Sequence, residues 1–379
     1  MEKKIKLCII AEHYPTSEQP LFTFVQQLAY SLSNENVECS IVAPQSITKS
    51  LIRKLPFQPV VSQDISPEKF VIKVYRPFIL TFSNTKNKTL QYIADKIMIA
   101  AIKRGTRMAK GDVLYAYFWH MGLMTSVAIK RENIPLFIQA SECDLTIHPY
   151  MITKKNLNRI CGVICASRKN QIESLNANLV NHEKTTVVVN GYRSDEFYKI
   201  DQVEARNKLG ISLAKFVVIF VGGFIERKGI RQLCNVIDRF EDVYSIFIGQ
   251  GEEPPTCKNI IFQGKVAHNE IVKYLNCADV FVLPTRAEGC CNAIIEALAC
   301  GLPVISSNKM FNDEILNDQC SIRIDEQNEE ELFQAIKLIK EDENKRIEMG
   351  MSALEKAKSL TIEHRAQKIK KYIMQVLGI

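Results

Sequence analysis

Two glutamates, Glu288 and Glu296, flank a segment poor in side-chain bulk, Gly289-Cys290-Cys291-Asn292. A carboxylate accepts from two donors at once, which suits the vicinal hydroxyls of a sugar or ribose. Free backbone N–H groups at a helix start, with the positive end of the helix dipole behind them, suit a phosphate. Together these groups describe a nucleotide-sugar site. Further upstream, Gly222-Gly223 and then Arg227-Lys228-Gly229 stand in the order a diphosphate requires, close backbone approach followed by cations. Taken singly, each has a plainer reading: two solvated acids, or an exposed basic pair. Their joint setting argues for chemistry.

The elements that position them are two strand–loop–helix units. Residues 280–283 form a short apolar run stopped by Pro284, the pattern of a buried parallel strand. Helical spacing begins at Asn292, with Ala293, Ile294, Ala297 and Leu298 on one face, and Gly301-Leu302-Pro303 ends the helix before a second strand at 304–306. Residues 216–221 predict another strand, followed by the two glycines and a helix over 230–240. Elsewhere, strands are expected at 5–10, 37–43, 71–75, 112–118, 135–139, 161–166, 185–189, 245–248 and 260–264. Helices are expected at 21–32, 86–110, 168–175, 268–275, 328–357 and 362–377, and residues 44–70 hold no clear element.

Glu288-x7-Glu296 followed by Ala297-Leu298-Ala299-Cys300-Gly301-Leu302-Pro303-Val304 resembles the E-x7-E and EA-x-A-x-G-x-PV signature of retaining glycosyltransferase family 4. The variant Glu288-Gly-Cys-Cys-Asn292 is most similar to bacterial enzymes that build capsule, exopolysaccharide or the O-antigen of lipopolysaccharide. The resemblance implies an α/β protein of GT-B fold, two facing Rossmann-like doubly wound domains with an interdomain cleft. The donor nucleotide would lie on the C-terminal domain and the acceptor on the N-terminal one. It implies transfer of a sugar from a UDP- or GDP-sugar to a glycan or lipid-linked glycan with retention of anomeric configuration, by front-face attack assisted by the leaving phosphate.

Residue by residue, Lys228 matches the family's phosphate lysine. Gly223 occupies the place of its usual arginine, leaving Arg227 to supply the second charge. Glu296 is expected on the ribose, Glu288 on the donor sugar, and Val266, after Phe262-Gln263-Gly264, beside the base. Asn190-Gly191 with Phe197 resembles the family's interdomain junction, implying domains 1–195 and 196–361, with residues 362–379 crossing back to the first.

The likeness is strong over 160–310 and weak over 1–150. The first turn, Glu18-Gln19-Pro20-Leu21-Phe22-Thr23, lacks the family's glycine, and Ser141-Glu142-Cys143-Asp144 keeps only Asp144 of an H-G-x-D pattern. Glu142 or His120 would then take over acceptor-side contacts, with a loop carboxylate and a helix-cap imidazole as the alternatives. His13 could touch the sugars. No Asp-x-Asp occurs, so no metal or other cofactor is expected.

Length and composition fit this reading. A chain of 379 residues exceeds what one core usually serves. Apolar content of 46% with 24% charged residues belongs to an ordinary globular protein and excludes bulk disorder. The apolar run 217–225 is far too short to span a bilayer, and the N-terminus leads straight into a strand, so a cytoplasmic location is expected. The twelve cysteines lie in apolar contexts without Cys-x-x-Cys, which favours buried thiols over disulfides or metal.

The charge is uneven. Residues 1–190 carry 24 Lys and Arg against 14 Asp and Glu, whereas residues 191–379 carry 25 against 28. In helix 86–110, seven basic residues meet only Asp95. Without stacking aromatics or a recognition helix, nucleic acid is excluded. An anionic membrane surface, on the inner face, or a phosphate-bearing acceptor is the candidate partner. A GT-B-like nucleotide-sugar epimerase and a non-catalytic sugar-binding protein are the competing readings, and a secretion signal would favour the latter.

Overall fold

Long runs of branched and aromatic residues buried on both faces can be satisfied only by parallel strands covered on both sides by helices. The computed structural model, which describes residues 4–19, 21–82, 87–130 and 132–379, contains two such sheets. The chain divides into two compact units, Met1–Ala166 with Asn170–Val188 and Ala366–Ile379, and Ser167–Lys169 with Val189–Arg365.

The first unit is built on β1 Ile5–Ile10, β2 Val37–Val42, β3 Val61–Ile65, β4 Val71–Tyr75, β5 Val113–Tyr117, β6 Leu136–Ala140, β7 Ile160–Cys165 and β8 Thr185–Val187. Their order is β8-β7-β6-β5-β1-β2-β4-β3, parallel throughout except where β3 runs against β4. The strand β3 and a short helix, Ile47–Ile52, correct the expectation that 44–70 holds no element. On this edge strand Val61 and Ile65 point outward, while Asp64 points in and accepts from Tyr14 (2.6 Å), Gln26 (2.8 Å) and Tyr30 (2.8 Å). A strand with its polar residue inside carries none of the usual apolar alternation.

The predicted helix at 86–110 runs over Lys88–Ala109, capped by the Asn87 side chain on the N–H groups of Thr89 and Leu90; its expected first residue, Lys86, lies outside the described residues. Asp95 does not face the lysines. It is buried and accepts from His148 and Tyr150, whereas Tyr92 and Ile93, the latter expected on the packed side, are exposed. The helix presses so closely on β2 that a Cβ on Gly105 would lie 2.4 Å from Val42. The end of helix Ile362–Leu377 packs on this unit, with Gln367 and Lys370 bonded to Glu35 (2.9 and 2.7 Å) and Tyr372 to the Lys184 carbonyl (2.7 Å).

The second unit holds β9 Phe216–Val221, β10 Val243–Ile248, β11 Ile260–Gly264, β12 Val280–Leu283, β13 Val304–Ser307 and β14 Ser321–Ile324, in the order β11-β10-β9-β12-β13-β14 and all parallel. The expected single helix at 328–357 is two, Glu329–Glu341 and Glu343–Lys358. Asp342 breaks the run with extended backbone and caps the second helix by accepting from Lys345 N–H. All twelve cysteines are free thiols.

In open parallel sheets, ligands bind beyond the carboxyl ends of strands where the winding reverses. The order reverses between β1 and β5 in the first unit and between β9 and β12 in the second.

Candidate active site

The loops leaving β9 and β12 carry the residues singled out by their chemistry. After β9, Gly222 N–H donates to the Ile248 carbonyl (2.9 Å), and the turn Glu226–Lys228 ends at Gly229. Gly229 has φ +73°, and a Cβ there would lie 2.3 Å from the Pro284 carbonyl oxygen, so only glycine lets the two loops meet. Arg286 N–H donates to the Arg227 carbonyl (2.9 Å), which closes the contact.

Glu288 sits at this junction with its side chain 12% exposed. Its Oε1 is bonded to Lys228 Nζ, accepts from Thr285 Oγ1 (3.0 Å) and lies 3.3 Å from the Arg227 guanidinium. Arg227 also donates to the Ala287 carbonyl. The two cations expected on a diphosphate are therefore gathered around the carboxylate expected on the sugar. One anionic oxygen sharing two cations and a hydroxyl is held in a single orientation.

Beyond Glu288 the chain passes through buried Gly289 and Cys291 into helix Asn292–Ala299. No side chain caps this helix. Asn292 is fixed instead by Asn190, whose amide donates to Asn292 Oδ1 (2.8 Å) and the Cys290 carbonyl (3.4 Å). Burial pushes the thiols of Cys290 and Cys291 up to about 12, so both are neutral at ordinary pH and poor nucleophiles.

One turn into the helix, buried Glu296 lies 3.4 Å from His268 Nε2, and His268 Nδ1 lies 3.5 Å from Glu196. The Glu196 carboxylate first, and Glu296 with it, raise the His268 pKa to about 10, so this imidazole is a cation at neutral pH. Phe197 packs edge-on against its ring at 5.2 Å. Val266, half-buried against the core of the unit, stands two residues before it.

Sequence reasoning singled out the two glutamates but not His268, Thr285 or Glu196. His268 had a signal, two positions after Val266. Thr285 had none beyond following Pro284, and Asn190 was read only as a junction.

In the first unit, His120 and Glu12 face each other across the winding reversal between β5 and β1, with His120 Nε2 against Glu12 Oε1. Burial opposes charge on His120, but its bond to Glu12 outweighs this and the pKa is raised. Glu142 is turned onto backbone: it accepts from the N–H groups of Trp119 and Ser141 (2.9 Å for the latter), closing the start of helix Trp119–Ala128. Burial raises its pKa. Asp144 is exposed. These acceptor-side candidates lie in the first unit and the donor-side residues in the second.

Residues 215–342 match the family described as "Glycosyl transferases group 1". TuaC of Bacillus subtilis, named as a glycosyltransferase of teichuronic acid biosynthesis, is 25% identical over 80% of this chain and 81% of its own. The N,N'-diacetylbacillosaminyl-diphospho-undecaprenol alpha-1,3-N-acetylgalactosaminyltransferase of Campylobacter jejuni is 27% identical over 38% of this chain and 40% of its own. Among solved structures, sucrose-phosphate synthase from Thermosynechococcus elongatus superposes with a TM-score of 0.77 over 99% of this chain and 100% of its own at 17% identity. Anabaena HepE in complex with UDP-glucose superposes with a TM-score of 0.69 over 97% and 99% at 16% identity. Such low identities carry the fold alone. The match over 215–342 gives the second unit its likeness to the group 1 glycosyltransferases, and the two Rossmann-like units have the GT-B fold.

Proposed function

We propose that the protein transfers a sugar from a UDP- or GDP-sugar to a glycan or lipid-linked glycan acceptor, with retention of configuration and without a metal ion, in bacterial surface-polysaccharide synthesis. The observation that carries this reading is the cluster of Lys228, Arg227 and Thr285 around Glu288, one loop before an uncapped helix start. Two cations and free amides at one place stabilise a departing diphosphate without a bound cation.

In this reading the bond between the anomeric carbon and the β-phosphate oxygen breaks. The acceptor hydroxyl bonds that carbon from the same face, and its proton passes to the departing phosphate oxygen. Glu288 is a weak alternative nucleophile, because two cations against its Oε1 lower the basicity of the whole carboxylate. Glu296 takes the ribose hydroxyls with His268 fixing its orientation. His120 with Glu12, and Asp144, are acceptor-side groups.

The names of TuaC and of the Campylobacter relative support a surface-glycan or lipid-linked acceptor. Among the described residues no helix is long and apolar enough to cross a membrane. Exposed Tyr92 and Ile93 beside Lys88, Lys96 and Arg104 on helix Lys88–Ala109 support peripheral attachment to an anionic inner leaflet.

The test is a panel of nucleotide sugars, read by thermal shift and then by product formation with and without a lipid-linked glycan acceptor. A nucleotide sugar that raises the melting temperature and is consumed only with acceptor is the expected result. Isomerised donor without acceptor would replace this reading with an epimerase, and binding without turnover with a sugar-binding protein.

A further inference from the structure

In the first unit, beside the reversal of winding where Glu12 meets His120, the carboxyl ends of β1, β2 and β4 enclose a cavity of about 110 Å³. Its lining includes three cations. Arg76, which follows β4 and is only 7% exposed, stands in its wall, and Lys49 and Arg53, on and just after helix Ile47–Ile52, stand at its rim.

Arg76 donates to Ser62 Oγ (2.6 Å) and lies over the Tyr14 ring at 5.9 Å. Among the described residues no ion pair within 4 Å neutralises Arg76, Lys49 or Arg53. Half-buried Asp64 accepts from Tyr14, Gln26 and Tyr30 and acts on Arg76 only through space. The acidic side chain lining the cavity, Glu18, is exposed and bonded to Ser17 (2.6 Å) and weakly to Gln58 (3.5 Å). His13, also in the lining, has its pKa lowered by burial and further by Lys49 and Arg53, so it adds a neutral donor or acceptor. Three cations at one small cavity without a direct ion pair suit an anion.

The surroundings say what the anion belongs to. The cavity is well below the several hundred Å³ that a whole ligand occupies, so it fits one small charged group of a larger molecule. The same helix that brings Lys49 to the rim exposes Leu51 and Ile52, 63% and 79% accessible. Thr48 on that helix is tied to Thr81 (2.8 Å to its carbonyl), and exposed Phe57 packs edge-on against exposed Phe78 at 5.9 Å. One cation inside, two at the rim and apolar side chains beyond them complement an amphiphile with a phosphate head.

We propose that this cavity binds the phosphate or diphosphate of a lipid-linked acceptor, with Lys49, Arg53 and Arg76 holding the anion and Leu51, Ile52 and Phe57 meeting the start of the lipid chain. This rests on the glycosyltransferase reading and adds the chemical class of the acceptor. The Glu12–His120 pair adjoins the cavity through His13, so a sugar attached to the bound phosphate would extend toward it.

The test is calorimetric titration of farnesyl diphosphate in detergent, and of inorganic pyrophosphate, into wild type and Lys49→Ala/Arg53→Ala. Excess UDP and GDP are present to occupy the phosphate site of the second unit. Both residues are exposed, so the variant is expected to fold. Binding of farnesyl diphosphate that weakens at least tenfold in the variant, with pyrophosphate weakened in parallel, supports the proposal. Equal affinity in the two proteins overturns it. So does a loss of binding to phosphatidylglycerol vesicles while farnesyl diphosphate binds unchanged, since the cations would then serve a bilayer surface. Thermal shift with UDP and GDP on the same proteins tests the underlying reading separately, because that response belongs to the second unit and is expected to be the same in both.

Discussion

Lys228 Nζ and Glu288 Oε1 form a direct ion pair, with both side chains largely buried at 14% and 12% exposure. The lysine proposed for the phosphate and the acid proposed for the sugar thus orient each other. Removing either leaves the other as a buried charge with fewer partners. Lys228→Ala is expected to lower kcat roughly a hundredfold, the scale of one lost charge contact in a transition state. The double variant Lys228→Ala/Glu288→Ala is expected to lose less than the two single losses combined, with a coupling on the order of 0.5–3 kcal/mol. Strict additivity in kcat, measured on folded proteins, contradicts the pairing.

The two glutamates separate by what they touch. Glu296→Gln is expected to weaken free nucleotide and nucleotide sugar alike, since ribose is common to both, whereas Glu288→Gln is expected to spare free nucleotide. Titration of each variant with nucleotide and with donor distinguishes them, and equal losses for both would refute the roles.

His268 makes a pH prediction. Its folded pKa, about 10, lies above the ordinary histidine value of 6.5 because of Glu196 and Glu296. The stabilisation it gives is therefore fully present below pH 6.5 and is lost as pH rises through about 10. Because 43% of the side chain is exposed, solvent limits the effect to about 1 kcal/mol at most. His268→Gln should be less stable than wild type at pH 6, with the gap shrinking between pH 6.5 and 10; a gap that grows with pH in urea melts reverses the assignment.

If Arg227, Lys228 and helix amides neutralise the diphosphate, turnover should persist in excess chelator. Activity abolished by chelator and restored by Mg²⁺ or Mn²⁺ would transfer that role to a metal.

Helix Lys88–Ala109 is expected to attach the protein to anionic vesicles, with each basic residue near the surface contributing on the order of 1 kcal/mol. Replacing Lys88, Lys96 and Arg104 with Glu should reduce co-sedimentation more than replacing Arg107, which already pairs with Glu132 at 3.3 Å. No preference for anionic over neutral lipid ends the proposal.

The sheets were legible because their strands are continuous apolar runs. That Glu288, Arg227 and Lys228 come together was legible from their joint setting in two strand–loop–helix units and not from residue type alone. What could not be read follows from the same logic. Strand β3 turns Val61 and Ile65 to solvent and Asp64 to the interior, inverting the usual pattern. Asp95 looked like one acid among lysines, but packing with His148 and Tyr150, more than fifty residues away, decides its direction. His268 reaches Glu296 only because β11 and β12 end on the same side of one sheet, a fact of topology and not of local sequence.

The cysteines give the chain a use beyond packing. Burial pushes Cys8, Cys39 and Cys165 in the first unit, and Cys277, Cys291 and Cys300 in the second, up to about 12. Only a thiolate reacts readily with an alkylating reagent, so each stays silent until its own surroundings open. The unmodified protein therefore carries a native clock in each half, and mass-resolved labelling rates read the breathing of the two units independently, with no introduced probe.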